Sequence, residues 1–209
     1  MKIKWIVFDA MGVIFKEGDD VTNILIPFLN SKSSHIDEAK VRDLYYKASL
    51  GRISSLEFWK NLNLADKYPE IEKEYIYNNF DLNPDFKETA EILKTKYFLA
   101  VLSNDVAEWS KDLRVRFGLN DLFKITIISG DIGFRKPDIR IFKVLLERIK
   151  SDPKECVFID DKLVNIRSAS ELGLKTILFA NKNHKKHDLK WEIVIKSFKE
   201  LPQILEQIG

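Results

Sequence analysis

Four short segments of the chain place residues that could do chemistry beside apolar runs or turns. In the first, an Ile-Val-Phe run leads to Asp9, and Gly12 follows within the next turn. A buried strand can present a carboxylate nucleophile in this way, where the chain turns away from the sheet. The later segments supply a hydroxyl with an amide, an ammonium group and two further carboxylates, which are Ser103-Asn104, Lys136 and Asp160-Asp161. Together these segments supply the polar and charged groups that such an aspartate would need around it.

The elements that carry these segments alternate between strand and helix. An apolar run at residues 3–9 predicts a first buried strand. From residue 85 onwards, further strand-like runs alternate with helical patterns of about 10 to 15 residues, which indicates βαβ units and a parallel sheet. The predicted strands lie at 98–102, 125–128, 156–159, 175–179 and 193–195, and the helices at 85–94, 107–117, 139–149, 163–172 and after Pro202.

Residues 19–79 interrupt this series with apolar residues at helical spacing and no strand-like alternation. One helix should begin near Ser54 or Ser55, where a hydroxyl can cap free backbone N–H groups. The predicted fold class is therefore α/β, a doubly wound, Rossmann-like parallel sheet with an inserted all-helical cap. We assign residues 1–16 and 82–209 to the core domain and residues 17–81 to the cap.

The carboxyl ends of parallel strands lie at one edge of an open sheet, which is where such sheets bind ligands. The first, second and fourth chemical segments each end a predicted strand. Lys136 lies in the loop that follows the strand at 125–128 and enters a helix. Pro137 suits such an entry, because proline lacks the N–H that has no partner in a first helical turn. Residues that are distant in sequence are therefore expected to converge on one site.

The bulk composition limits the possible partners and compartments. Of 209 residues, 45% are hydrophobic and 32% are charged, and the formal net charge is +2. This balance gives no electrostatic reason to expect a nucleic-acid partner. No apolar run approaches the roughly 18 to 20 residues that cross a bilayer, so we expect no membrane association. The lone Cys156 cannot form an internal disulfide, which agrees with a cytoplasmic protein.

In this order and spacing, the four segments resemble the four motifs of the haloacid dehalogenase superfamily of hydrolases. The flanking runs at 129–138, 158–165 and 169–174 look like those of phosphatase-type members with a helical cap. The resemblance covers residues 2–15 and 85–180 closely, whereas the cap is similar only in size and helicity. It implies an enzyme, a Mg²⁺-dependent phosphatase that acts on a small phosphorylated metabolite.

The resemblance also implies a role for each motif residue. Asp9 would be the nucleophile and would form an aspartyl-phosphate, while Lys136 would bridge the phosphate and Asp9. The Ser103 hydroxyl and the backbone N–H of Asn104 would bind phosphoryl oxygens. Mg²⁺ would be bound by two carboxylates and one main-chain carbonyl, those of Asp9, Asp161 and Met11, with Asp160 as an alternative or supporting carboxylate.

Met11 departs from the family's pattern. Most phosphatases of this superfamily carry a second aspartate at this position, which protonates the leaving oxygen and then helps water to attack. A thioether can do neither, and general acid–base catalysis is typically worth about 10² to 10⁴-fold in rate. Turnover of alkyl phosphates is therefore expected to be weak. Acyl or aryl phosphates, whose leaving groups need less protonation, could still react, and another carboxylate, such as one from the cap, could replace the missing aspartate.

Two alternatives to phosphatase activity stay open at this point. The pattern at residues 9–12 resembles the Asp-Ala-Tyr-Gly of 2-haloacid dehalogenases, although the acidic pair at 160–161 looks like a metal site that those enzymes do not use. A catalytically impaired protein that binds a metal and phosphate is the other alternative. The sequence does not indicate the substrate or decide between monomer and homodimer.

One arginine and the three histidines are of interest outside the motifs. Arg52, beside Gly51 at a predicted turn of the cap, could reach a substrate anion. His35, His184 and His187 have no metal-ligand spacing, and we expect them on the surface.

Overall fold

The computed structural model describes residues 2–33, 36–180 and 191–209 of the chain. The three histidines, His35, His184 and His187, lie outside these ranges. Among the helices of the described ranges, none has the length and apolar composition needed to cross a membrane.

A six-stranded parallel sheet forms the centre of the fold, with the strand order β3-β2-β1-β4-β5-β6. Because β1 lies in the middle and the chain adds strands first on one side and then on the other, the sheet is doubly wound. The predicted α/β fold class is confirmed. The strands are β1 Trp5–Phe8, β2 Phe98–Ser103, β3 Ile125–Ile128, β4 Cys156–Asp160, β5 Lys175–Phe179 and β6 Val194–Ile195.

The first strand shows why the sheet is apolar on both faces. Ile6 and Phe8 belong to an apolar cluster on one face, while Trp5 and Val7 belong to a second cluster on the other. All four side chains are buried. A parallel strand covered on both sides has no polar face, so it reads as a continuous apolar run rather than an alternation.

The segment between β1 and residue 80 is helical, as expected. A π-helical turn at Val21–Leu25 leads into α1 Ile26–Lys32, followed by α2 Glu38–Ala48, α3 Ser55–Asn61 and α4 Glu70–Asn78. The predicted start of α3 is confirmed: the Ser54 hydroxyl accepts the N–H of Glu57, and the Glu57 carboxylate accepts the N–H of Ser54 at 2.8 Å. The division into separate core and cap domains stays a prediction.

The remaining helices pack around the sheet, and α8 follows the loop that carries Lys136. Asp138 caps α8 by accepting the N–H of Arg140 at 2.9 Å, so the helix begins at Ile139. The predicted helix at 139–149 is confirmed, and Pro137 lies in the loop that enters it, one residue before the N-cap residue Asp138. The helices are α5 Phe86–Leu93, α6 Ala107–Arg116, α7 Ser129–Ile132, α8 Ile139–Ile149, α9 Leu163–Glu171 and α10 Leu201–Ile208.

Candidate active site

The carboxyl ends of β1, β2 and β4 bring predicted site residues together at one edge of the sheet. Asp9 directly follows β1, and its N–H donates to the carbonyl oxygen of Ile159 in β4 at 2.9 Å. Ser103 ends β2 and Asp160 ends β4. The register pairs Phe8 with Ile159, so the carboxylates that follow these two residues are neighbours.

Lys136 joins the two carboxylates. Its Nζ lies 2.6 Å from Oδ1 of Asp9 and 2.8 Å from Oδ2 of Asp160, and only 1% of its side chain is exposed. A buried ammonium group is stable only where close opposite charges and hydrogen bonds offset its loss of water. The lysine therefore holds a fixed position between the ends of β1 and β4.

The side-chain amide of Asn104 fixes the backbone of Lys136. Its Oδ1 accepts the Lys136 N–H at 2.7 Å, and its Nδ2 donates to the Lys136 carbonyl oxygen at 2.8 Å. Asn104 follows β2, whereas Lys136 lies beyond β3. This pair of hydrogen bonds therefore connects the loops after two neighbouring strands and fixes the backbone position of Lys136.

Three buried carboxylates gather at this edge. Asp9, Asp160 and Asp161 each offer an oxygen atom that lies within 4.8 Å of the others. Burial raises the pKa of Asp9 well above its usual range, the nearby charges of Asp160 and Asp161 raise it further, and Lys136 opposes them. The charge of Lys162 also interacts with all three carboxylates, and their clustered oxygens could bind a cation.

Asp160 accepts hydrogen bonds from three residues. Its oxygens receive the backbone N–H of Lys162 at 2.7 Å, the amide Nδ2 of Asn165 at 3.0 Å and the Nζ of Lys136. The residue is completely buried. These contacts suit a carboxylate that orients its neighbours.

The Ser103 hydroxyl is buried and has no hydrogen-bond partner among the residues described. Such unsatisfied groups are rare in folded proteins and cost free energy unless a ligand or water completes them. Ser103 ends the strand beside Asp9, so an anion bound there could supply the missing partner.

A cavity of about 250 Å³ opens beside Asp9. Met11 lines it, as do residues from the helical segment and from the loops after the strands, among them Asp20, Arg42, Arg135 and Lys162. Arg52 is exposed and is not among the lining residues, so the structure does not bring this predicted anion-binding residue to the cavity. Arg42 and Arg135 supply guanidinium groups there instead.

Asp20 is the lining residue that the sequence reasoning most clearly missed. It lies eleven positions after Asp9, outside every recognised motif, and is only 6% exposed. Burial raises the pKa of Asp20 to about 6, against an opposing effect of the Lys162 charge. The Tyr45 hydroxyl donates to its Oδ2 at 3.4 Å. The predicted helical cap allowed for a carboxylate from this segment, but the sequence did not indicate which one.

The sequence is similar to a known protein family and to individual characterised proteins. A family model described as haloacid dehalogenase-like hydrolase matches residues 3–173. A glyceraldehyde 3-phosphate phosphatase of Pyrococcus furiosus is 32% identical over 124 residues, which are 57% of this chain and 51% of the relative. A drimenol cyclase of Aspergillus calidoustus is 30% identical over 169 residues, which are 70% of this chain and 31% of the relative. The chain thus spans about half of one relative and a third of the other.

One solved structure has a similar fold over most of this chain. It is a haloacid dehalogenase family enzyme of Bacteroides thetaiotaomicron in complex with magnesium and inorganic phosphate. The two chains are 25% identical, with a TM-score of 0.68, and the comparison covers 90% of this chain and all of the other.

Proposed function

We propose that this chain, which belongs to the haloacid dehalogenase-like hydrolases, hydrolyses a small phosphorylated metabolite through a covalent intermediate on Asp9. The observation that carries the proposal is the position of Lys136, paired with both Asp9 and Asp160 at the sheet edge where Asp161 also lies. A carboxylate can attack an anionic phosphoryl group only where nearby positive charge offsets their repulsion.

Asp9 is the nucleophile in this proposal. One of its oxygens attacks phosphorus as the bond from phosphorus to the substrate's leaving oxygen breaks, which gives an aspartyl-phosphate and the free alcohol. Water then attacks phosphorus, breaks the bond to Asp9 and releases inorganic phosphate. Lys136 stabilises charge on the phosphoryl oxygens from its fixed place beside Asp9. The unpartnered Ser103 hydroxyl donates to one phosphoryl oxygen, and the backbone N–H of Asn104 assists it.

The acidic cluster fits a hard divalent cation such as Mg²⁺. Mg²⁺ prefers oxygen ligands and usually takes only one or two carboxylates from the protein. Asp9, Asp161 and the main-chain carbonyl of Met11 would hold it, while Asp160, which already accepts donors from three residues, would orient Lys136 and the loop after β4. When bound, the ion would neutralise phosphate charge. The magnesium and phosphate in the Bacteroides enzyme support this assignment.

The helical segment at residues 17–81 acts as a cap in this proposal and contributes to substrate choice. Its contribution to the cavity includes Asp20 and Arg42, and the loop before α8 adds Arg135. A cavity of about 250 Å³ suits a small metabolite. The phosphatase of Pyrococcus furiosus acts on glyceraldehyde 3-phosphate, a three-carbon ester, which supports a substrate of this size.

Dehalogenation is the second candidate, and the observation that favours it is Met11. Halide leaves without a proton, so an apolar residue beside the nucleophile would carry no penalty in that reaction. The three clustered carboxylates argue against it, because a carbon-centred displacement gains nothing from an anionic metal site. Halide release from 2-haloacids without added metal would separate the two reactions.

The test of the proposed function is a phosphate-release panel of small sugar, acyl and aryl phosphates, run with and without Mg²⁺. We expect at least one substrate to be hydrolysed in a Mg²⁺-dependent manner, and Asp9→Asn to abolish its hydrolysis. Beryllium fluoride, a mimic of the aspartyl-phosphate, should raise the thermal stability of the wild type and leave Asp9→Asn unchanged. Stabilisation by beryllium fluoride with no substrate consumed would instead identify a binding protein without turnover.

A further inference from the structure

The cavity contains a carboxylate that no local structural role explains. Besides Asp9, the carboxylates that line it are Asp19 and Asp20. Asp19 is exposed, and its Oδ1 accepts the N–H of Thr22 at 3.1 Å, which stabilises the start of the helical segment. Asp20 makes no capping hydrogen bond with its side chain, although it directly precedes the π-helical turn.

Asp20 is also costly to keep where it is. Its carboxyl group is nearly completely buried, and the Tyr45 hydroxyl contacts it only at the long distance of 3.4 Å. A buried carboxylate without strong donors destabilises a fold, so such groups are found mainly where a ligand or a reaction uses them. π-helical turns, like the one that follows Asp20, are also frequent at functional sites.

We propose that Asp20 is the general acid and base of this hydrolase and supplies the proton transfer that Met11 cannot. The inference rests on the proposed function, because it needs Asp9 to be the nucleophile. Both residues line one cavity, and Met11 lines it as well. The helical segment thus brings a carboxyl group to the cavity into which residue 11 faces.

Asp20 would transfer a proton in both the formation and the hydrolysis of the aspartyl-phosphate. In the first, Asp9 attacks phosphorus, the bond from phosphorus to the leaving oxygen breaks, and the Asp20 proton moves to that oxygen to give a neutral alcohol. In the second, water attacks phosphorus, its proton moves to the Asp20 carboxylate, and the bond to Asp9 breaks. Inorganic phosphate leaves, and both carboxyl groups return to their starting states.

The charged surroundings of Asp20 suit a group that must exist in both protonation states. Burial raises its pKa and Asp19 adds to this, whereas Lys162, a hydrogen bond from its own backbone N–H and Arg135 lower it, with a value of about 6 as the result. A general acid–base group works best with a pKa near the operating pH. The charge of Asp20 in turn raises the pKa values of three buried neighbours, Tyr45, Tyr75 and Asp105.

The test compares two substrates that differ in their need for a proton. One is an alkyl phosphate that the wild type hydrolyses, and the other is dinitrophenyl phosphate, whose phenolate leaves unprotonated. We expect Asp20→Asn to lower kcat/KM for the alkyl phosphate by about 100-fold or more, and to keep kcat/KM for the aryl phosphate within about threefold of wild type. The aryl substrate should also show a burst of phenolate, because hydrolysis of the phosphoenzyme slows.

Asp66→Asn is the matched control, since it removes an exposed carboxylate of the helical segment that does not line the cavity. It should keep the wild-type ratio of the two kcat/KM values. Equal losses on both substrates in Asp20→Asn, or no loss on either, would overturn the role of Asp20 while leaving the proposed function intact. A wild type that releases phosphate from neither substrate would overturn the proposed function itself.

A second measurement needs no variant. The wild-type kcat/KM for the alkyl phosphate, divided by that for the aryl phosphate, should fall as the pH rises above about 6, because the proton that Asp20 donates is lost. A ratio that stays constant from pH 5 to pH 8 would contradict the assignment even if Asp20→Asn failed to fold.

Discussion

The side-chain amide of Asn104 makes two hydrogen bonds to the backbone of Lys136: it accepts the N–H at 2.7 Å and donates to the carbonyl oxygen at 2.8 Å. The two residues are 32 positions apart in the sequence. A single amide thus sets the position from which the buried lysine reaches Asp9 and Asp160.

Removal of this amide should impair catalysis more than binding. Asn104→Ala leaves the Lys136 N–H and carbonyl without their partners, at a cost of about 1 to 3 kcal/mol for each buried group left unsatisfied. We expect kcat to fall about 10 to 100-fold, since a displacement of even 1 Å can cost that much, with a smaller change in KM. Steady-state kinetics with chemical unfolding checks both effects. A variant with unchanged kcat would show that the lysine does not depend on this contact.

Lys136 should contribute to stability as well as to activity. Lys136→Met leaves two buried carboxylates, those of Asp9 and Asp160, without their ammonium partner, and breaking a buried pair in this way costs about 3 to 5 kcal/mol. Lys143→Met, on the exposed side of α8, is the matched control and should change stability by no more than about 0.5 kcal/mol. Urea unfolding without metal measures the difference. Equal stabilities of the two variants would contradict the ion-paired network.

Asp20 should lower the stability of the protein at the pH at which it works. Its folded pKa of about 6 lies above the usual 3.8, because burial disfavours the ionised carboxylate. The folded state therefore bears no such cost below pH 3.8, where Asp20 is protonated, and it loses stability as the pH rises through 6. A rise of roughly two pKa units corresponds to about 3 kcal/mol as an upper bound. Asp20→Asn should therefore be more stable than wild type at pH 8, and this advantage should shrink towards pH 4. Thermal unfolding of the metal-free protein tests this; a variant less stable at pH 8 would refute it.

Met11 and Asp20 should be functionally linked. Met11→Asp restores the carboxyl group that most family phosphatases have, and we expect it to raise alkyl phosphate hydrolysis at least about tenfold in the wild type. In the Asp20→Asn background, where residue 20 can no longer donate a proton, the gain should be larger still. Met11→Asn, which has a similar size but no carboxyl proton to give, should not reproduce either gain. Identical gains from Met11→Asp in both backgrounds would show that the two positions act independently.

The sequence predicted the sheet and its edge residues well, for local reasons. Short apolar runs bounded by polar turns define buried parallel strands, so β3 at 125–128 and β5 at 175–179 were predicted with the observed bounds. The start of α3 followed from the hydroxyls of Ser54 and Ser55, either of which could cap the helix, and Ser54 is the one that does so. Because parallel strands end at one edge, Asp9, Ser103 and Asp160 converge without any information on side-chain packing.

The helical side of the cavity could not be predicted in the same way. Which residue of a helix faces Asp9 depends on how residues 17–81 pack on the sheet, and this packing leaves no periodic signal. Arg52 was therefore chosen in place of Arg42, and Asp20 was overlooked. Glu72 shows the same limit: its buried carboxylate accepts the indole N–H groups of Trp59 and Trp109 at 2.7 and 2.8 Å, a junction between α3, α4 and α6 that sequence spacing does not reveal.

The most direct test of the central claim is to look for phosphate on Asp9. The wild type is mixed with dinitrophenyl phosphate and Mg²⁺, quenched with acid within the first turnover, and mapped by peptide mass spectrometry. We predict a phosphorylated peptide that contains Asp9 and its absence in Asp9→Asn. Rapid phosphate release with no labelled peptide, or release that persists in Asp9→Asn, would contradict a covalent mechanism on this residue.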